Sequence, residues 1–243
     1  MLQTVISNPA IWKARDLPAT AEASIGVPTG FPKLDRLLFH GGWPRSGLTE
    51  VLCDRHGVGE LRLLAPALSR LCTEEGRWLI WIHPPFTPYA PALASWGVAT
   101  ERILVVHPDS GQDALWCLEQ ALQSGSCSAA LAWLDEWQLK SGEMRRLLNR
   151  AKRGNTWTVL FRPLRASRNP SPAELRIAIG PTPSETPNEV RLSILKRRGG
   201  WACDDLLAQL QGHAPPCSRE AVRSLWRRWR RSLSNAHRSS KVA

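Results

Sequence analysis

Residues 29–64 read TGFPKLDRLLFHGGWPRSGLTEVLCDRHGVGELRLL, placing a glycine-bearing loop between a short apolar run and a helical pattern. A loop that cradles a polyphosphate follows the pattern GxxxxGK[ST]. Its glycines let backbone N–H groups approach the phosphates, its lysine meets the β and γ phosphates, and its hydroxyl holds magnesium. In the best register Asp54 stands at the first glycine, Gly59 at the second, Glu60 at the lysine and Leu61 at the hydroxyl, with Gly57 between the two glycine positions. A carboxylate then faces the polyphosphate. Two such charges ~4 Å apart repel by about 1 kcal/mol in water and several times that in a partly buried cleft. The spacing predicts a phosphate-type loop that has lost nucleotide binding.

Outward from this stretch the chain alternates as a parallel sheet requires. Apolar β-prone runs at 49–53, 78–83, 103–107, 129–134 and 156–161 are separated by helical patterns. Strand then helix, repeated, predicts a doubly wound α/β core. Leu61, Leu64, Leu68 and Leu71 share one helical stripe, with Pro66 tolerated in the early turns. Past Pro163 two β-prone runs, 175–179 and 190–195, flank the proline-rich GPTPSETPNE and predict an antiparallel hairpin.

The chain has 243 residues, a hydrophobic fraction of 43% and a net charge of +11, enough for one full core with appendages. No uninterrupted apolar run reaches the roughly 18 residues of a membrane span, and Pro9 and Lys13 interrupt the N-terminal stretch, so a cytosolic protein with no membrane contact is expected. The six cysteines form no CxxC pair and read as small core residues, with no metal site. Twelve tryptophans accompany one tyrosine, and Trp78, Trp81, Trp116, Trp133 and Trp157 read mostly as packing residues.

The basicity is concentrated at the end. Residues 218–243 carry seven arginines and one lysine against Glu220, a net +7. Within SREAVRSLWRRWRRSL, Val222, Leu225, Trp226, Trp229 and Leu233 form one helical stripe, while Arg223, Arg227, Arg228, Arg230 and Arg231 carry charge around it. Such a helix can dock its Leu/Trp face in a partner groove, lie on nucleic-acid phosphates, or pack back with solvated arginines.

The TG turn, the short helix with Leu34 and Asp35, GGWPR (41–45) and Gly47 before the strand resemble the entry to the RecA recombinase core. WLIWIHPP (78–85), residues 96–125, NTWTVLFRPLR (155–165) and EVRLSILKRRGG (189–200) continue the likeness, which covers roughly residues 29–200. The resemblance implies an α/β fold: a RecA-like P-loop NTPase-type core with a mostly parallel sheet, helices on both faces, a C-terminal antiparallel hairpin and a basic helical tail. It divides the chain into an N-terminal extension (1–26), the core (27–200), and a linker with the amphipathic tail (201–243). The departures are informative. Pro84 and Pro85 stand where the family has its catalytic glutamate, Pro163 where it has the γ-phosphate-sensing glutamine, and residues 166–175 lack a glycine-rich DNA loop.

This combination is most similar to the ImuA family of bacterial translesion-synthesis accessory proteins. That likeness implies no catalysis and no cofactor, but a role in DNA-damage tolerance. The implied partners are a RecA filament, the inactive Y-family polymerase relative ImuB, and indirectly an error-prone C-family polymerase, with single-stranded DNA as a further partner through the tail. By the same resemblance Lys196, Arg197 and Arg198 match a filament-contact motif; a terminal strand with solvated cations is the plain alternative. Two rivals stay open: a division inhibitor resembling SulA, and an active ATPase with an unorthodox loop. Asp135 reads as a magnesium-type aspartate or a helix cap, and His83 and His107 as ordinary strand-end residues, since no nucleophile accompanies them.

Overall fold

The computed structural model describes residues 26–134, 136, 139–180 and 188–210. Eight strands form: β1 (Gly47–Leu52), β2 (Trp78–Ile82), β3 (Ile103–Val106), β4 (Cys127–Trp133), β5 (Trp157–Arg162), β6 (Leu175–Gly180), β7 (Glu189–Arg197) and β8 (Cys203–Gln209). The helices are α1 (Pro32–Asp35), α2 (Glu60–Glu75), α3 (Ala90–Ser95), α4 (Gly111–Ser124) and α5 (Ser141–Arg153). The strands join one sheet in the order β3-β2-β4-β5-β1-β6-β7-β8. Pairings from β3 through β6 are parallel, and β7 and β8 add to the β6 side antiparallel.

The expected RecA-like P-loop core is not what forms. The structure is a single eight-stranded mixed sheet with few helices, and only α2, α4 and α5 exceed ten residues. A doubly wound core needs a crossover helix between successive parallel strands. Here β5 reaches β6 through a 3-10 turn, Leu164–Arg168, and no α-helix lies between β5 and β8 among the described residues. The sheet also runs on to Gln209, past Gly200. Arg191 in β7 faces Leu207 and Leu192 faces Leu206, so β8 extends the sheet where a linker was expected.

Periodicity explains what packs where. Along β1, Val51 joins the cluster holding Leu63, Leu64, Leu68 and Leu71 of α2, while Leu48 joins the cluster holding Leu118 and Leu122 of α4 and Met144 and Leu147 of α5. This is the alternation of side chains across a strand. Ser110 caps α4 by accepting the Asp113 N–H at 3.1 Å. Trp43, Trp81 and Trp157 are fully buried; Trp157 stacks over Trp43 and donates Nε1–H to Thr49 Oγ1 at 3.1 Å. Trp133 stacks on Phe161 with centroids 4.2 Å apart. A buried tryptophan removes enough area for roughly 4–6 kcal/mol at most, so these rings dominate the core. Trp78 and Trp116 depart from the packing expectation: they are 44% and 59% exposed, because each sits on the solvent side of its element. Cys53, Cys72 and Cys127 are buried, Cys117 and Cys203 half-buried, and all five are free thiols.

Candidate functional site

β1 delivers the chain to Cys53, whose N–H donates to the Arg162 carbonyl at 3.0 Å, and the loop then departs from the sheet. Asp54 is exposed, and its Oδ1 accepts the Leu164 N–H at 2.9 Å, tying the loop to the turn after β5. Gly57 (φ +80°) donates its N–H to Glu60 Oε1 at 2.8 Å. The carboxylate at the lysine position therefore folds back into its own loop and takes an N–H group of the kind a phosphate would use. A hydrogen bond to a charged group contributes about 1.5–3 kcal/mol. Glu60 is only 5% exposed, and Leu61 packs half-buried against the main core.

Gly59 precedes α2 at φ +102°, a left-handed conformation that a side chain strains. A Cβ there would also stand 2.8 Å from Leu210 Cδ1. Leu210 is buried, its N–H donates to the Asn188 carbonyl at 2.6 Å, and its side chain packs beside Gly59. Glu60 and Leu210 line a cleft together with Gly57, Val58, Leu61 and Trp96. Burial first, then the charges of Glu60 and Asp54, push the Cys53 thiol up to about 11.

A second constellation sits in the middle of the sheet and was not anticipated. Glu50, wholly buried in β1, accepts from Arg162 Nη1 at 2.9 Å and from Arg176 Nε at 2.6 Å, and also from the Ser171 hydroxyl. Arg162 in turn makes a bidentate pair with Glu136, 2.8 Å on each arm. Burial lowers the Arg162 pKa, but its bonds and charge contacts with Glu136 and Glu50 outweigh that and raise it. Arg176 spends its other nitrogens on the carbonyls of Ala166, Ser167 and Asn169. The network clamps the crossover between β5 and β6. The signal was one charge in each apolar run: Glu50 in LTEVL, Arg162 closing WTVLFR, Arg176 in LRIAI.

Lys196, Arg197 and Arg198 lie at the end of β7, away from the loop. Lys196 Nζ donates to the Ser171 carbonyl at 2.7 Å. Arg197 is half-buried, donating Nε–H to the Trp201 carbonyl at 2.8 Å and Nη1–H to the Leu37 carbonyl. Arg198 is exposed, its Cζ 5.0 Å from the Phe39 ring centroid. His83 donates its backbone N–H to the Val106 carbonyl at 2.8 Å at the end of β2. Asp135 and the tail residues Arg223, Leu225, Trp226, Arg227, Arg228, Trp229, Arg230 and Arg231 lie outside the described residues. No cluster of metal-binding side chains occurs among the described residues, and no helix there is long and apolar enough to cross a membrane.

Comparison with known proteins places this geometry. A family model described as "Cell division inhibitor SulA" matches residues 48–158. SulA of Edwardsiella piscicida is 32% identical over 120 residues, covering 49% of this chain and 70% of that protein. ImuA of Caulobacter vibrioides (strain NA1000 / CB15N) is 30% identical over 224 residues, covering 80% of this chain and 90% of that protein. The crystal structure of SulA from Pseudomonas aeruginosa is 29% identical, covers 47% of this chain and 97% of its own, and superposes with a TM-score of 0.40. The stretch from β1 into β5 is thus that of a SulA-like protein. Within that class, the chain belongs to the ImuA family.

Proposed function

We propose that this protein is a non-catalytic cytoplasmic accessory factor of SOS-induced error-prone translesion DNA synthesis, bridging a RecA filament and an ImuB-type inactive Y-family polymerase. The observation that carries the reading is the extent of the likeness to ImuA, 80% of the chain against the shorter stretch, 48–158, matched by the SulA model. The loop supports a role without nucleotide chemistry: Glu60 stands at the lysine position and accepts the Gly57 N–H that a phosphate would use. In this reading Lys196, Arg197 and Arg198 meet the filament. The tail, through Arg223, Leu225, Trp226, Arg227, Arg228, Trp229, Arg230 and Arg231, meets the polymerase relative or single-stranded DNA, and an error-prone C-family polymerase joins indirectly.

The second reading, an inhibitor of cell division, is favoured by the SulA model over residues 48–158 and by relatives of that name. One experiment separates the two. Ultraviolet-induced mutation frequency and cell length are measured together in cells lacking the gene. Fewer induced mutations with normal filamentation support the accessory role. Unchanged mutagenesis with lost filamentation overturns it in favour of the division inhibitor.

A further inference from the structure

The turn between β7 and β8 carries an exposed tryptophan, and beside it an exposed phenylalanine, that neither reading uses. Trp201, at its tip, is 88% exposed, the most exposed large apolar side chain among the described residues. Phe39, from the segment before β1, is 40% exposed and carries Arg198 over its face. The Arg197 guanidinium joins the two segments, bonding the carbonyls of Leu37 and Trp201 at once. Gly199 closes the contact: at φ +70° it lies so near Phe39 that an added Cβ would stand 2.8 Å from the ring. The two aromatic residues are therefore held near each other by a preorganised turn while exposing ring surface to solvent.

The adjoining cleft is basic. His40, Arg45, Lys152, Arg197 and Arg198 line it. Its one lining carboxylate, Glu174, is paired with Lys152 at 3.1 Å, Arg45 is paired with Glu75 outside the cleft, and Asp205 on β8 lies 3.7 Å from Arg191, which leaves Arg198 with no carboxylate partner among the described residues. Cations beside an exposed aromatic ring suit single-stranded nucleic acid, since phosphates meet the cations and unpaired bases stack on the ring. A duplex offers the same phosphates but keeps its bases stacked. An acidic peptide matches the cations and leaves both rings unused.

We infer that the β7–β8 turn, with Phe39, Arg198 and Trp201, is a single-stranded nucleic-acid contact built into the sheet domain and separate from the basic tail. It does not depend on the bridging role, so the mutation-frequency experiment can fail without touching it.

The test uses the full chain and a fluorescein-labelled oligothymidine, read by fluorescence anisotropy across a salt series. Trp201→Ala should weaken binding on the order of tenfold while leaving the salt slope unchanged, because a stacked base and no phosphate contact is lost. Arg198→Ala should flatten the slope by about one. Irradiation of a bromouracil-substituted oligonucleotide should crosslink the peptide containing Trp201. Trp201 is exposed, so its removal leaves the core intact, and a thermal melt matching the parent chain checks this. The inference is overturned if Trp201→Ala and Phe39→Ala bind like the parent. It is equally overturned if both variants lose affinity for duplex DNA to the same degree, or if polyglutamate displaces the oligonucleotide and loses affinity in parallel.

Discussion

Glu50 is the side chain on which the centre of the sheet depends. Two arginines converge on one carboxylate with no solvent contact, so its removal leaves the buried Arg176 without a carboxylate and Arg162 with Glu136 alone. Glu50→Ala should destabilise the fold by about 3–5 kcal/mol in chemical denaturation, and a loss under about 1 kcal/mol would show the network to be dispensable. Glu60 is the corresponding residue of the loop. Restoring a lysine by Glu60→Lys should yield no binding of a fluorescent ATP analogue, because Asp54 still stands at the first glycine and Leu61 at the magnesium-holding hydroxyl; saturable binding would contradict this. Cys53 gives a pH signature. With its thiol near 11 against an ordinary value of 9.0, the folded chain keeps a proton there that the unfolded chain has released, so stability should fall as pH rises through that window. Iodoacetamide at pH 8 should label the half-buried Cys203 and spare Cys53, where roughly one thiol in a thousand is ionised.

The elements differ in how plainly the residues announce them. The runs 49–53, 78–83, 103–107, 129–134 and 156–161 lie in β1 to β5 within a residue or two, because β-prone apolar runs between helical patterns leave few other solutions. β8 was hidden: CDDLLAQ carries two aspartates and alternates weakly, and only its pairing with β7 makes it a strand. The layering was misjudged because local periodicity says where strands lie, and here that β6 and β7 pair antiparallel, but not that β8 would extend them within one mixed sheet. In the loop, the loss of lysine was legible. The packing of Leu210 beside Gly59 was not, since Leu210 is some 150 residues away in sequence and arrives only through the β7–β8 excursion. Leu210→Ala should cost about 2–5 kcal/mol and speed hydrogen exchange at the Gly57 amide; an unchanged exchange rate would show that Leu210 does not hold the loop.

On the scale of the molecule, a loop with a carboxylate at the lysine position gains nothing from a polyphosphate. Addition of ATP and magnesium should leave the melting temperature where it was, whereas a binding protein gains about 2.7 kcal/mol at a ligand concentration one hundred times its dissociation constant. A reproducible upward shift would reopen the question of nucleotide binding. Proteins that hold a nucleotide at such a loop alternate between charged and spent forms, and their partners read which form is present. With Glu60 holding the Gly57 amide that a phosphate would take, this loop offers a partner one form to read.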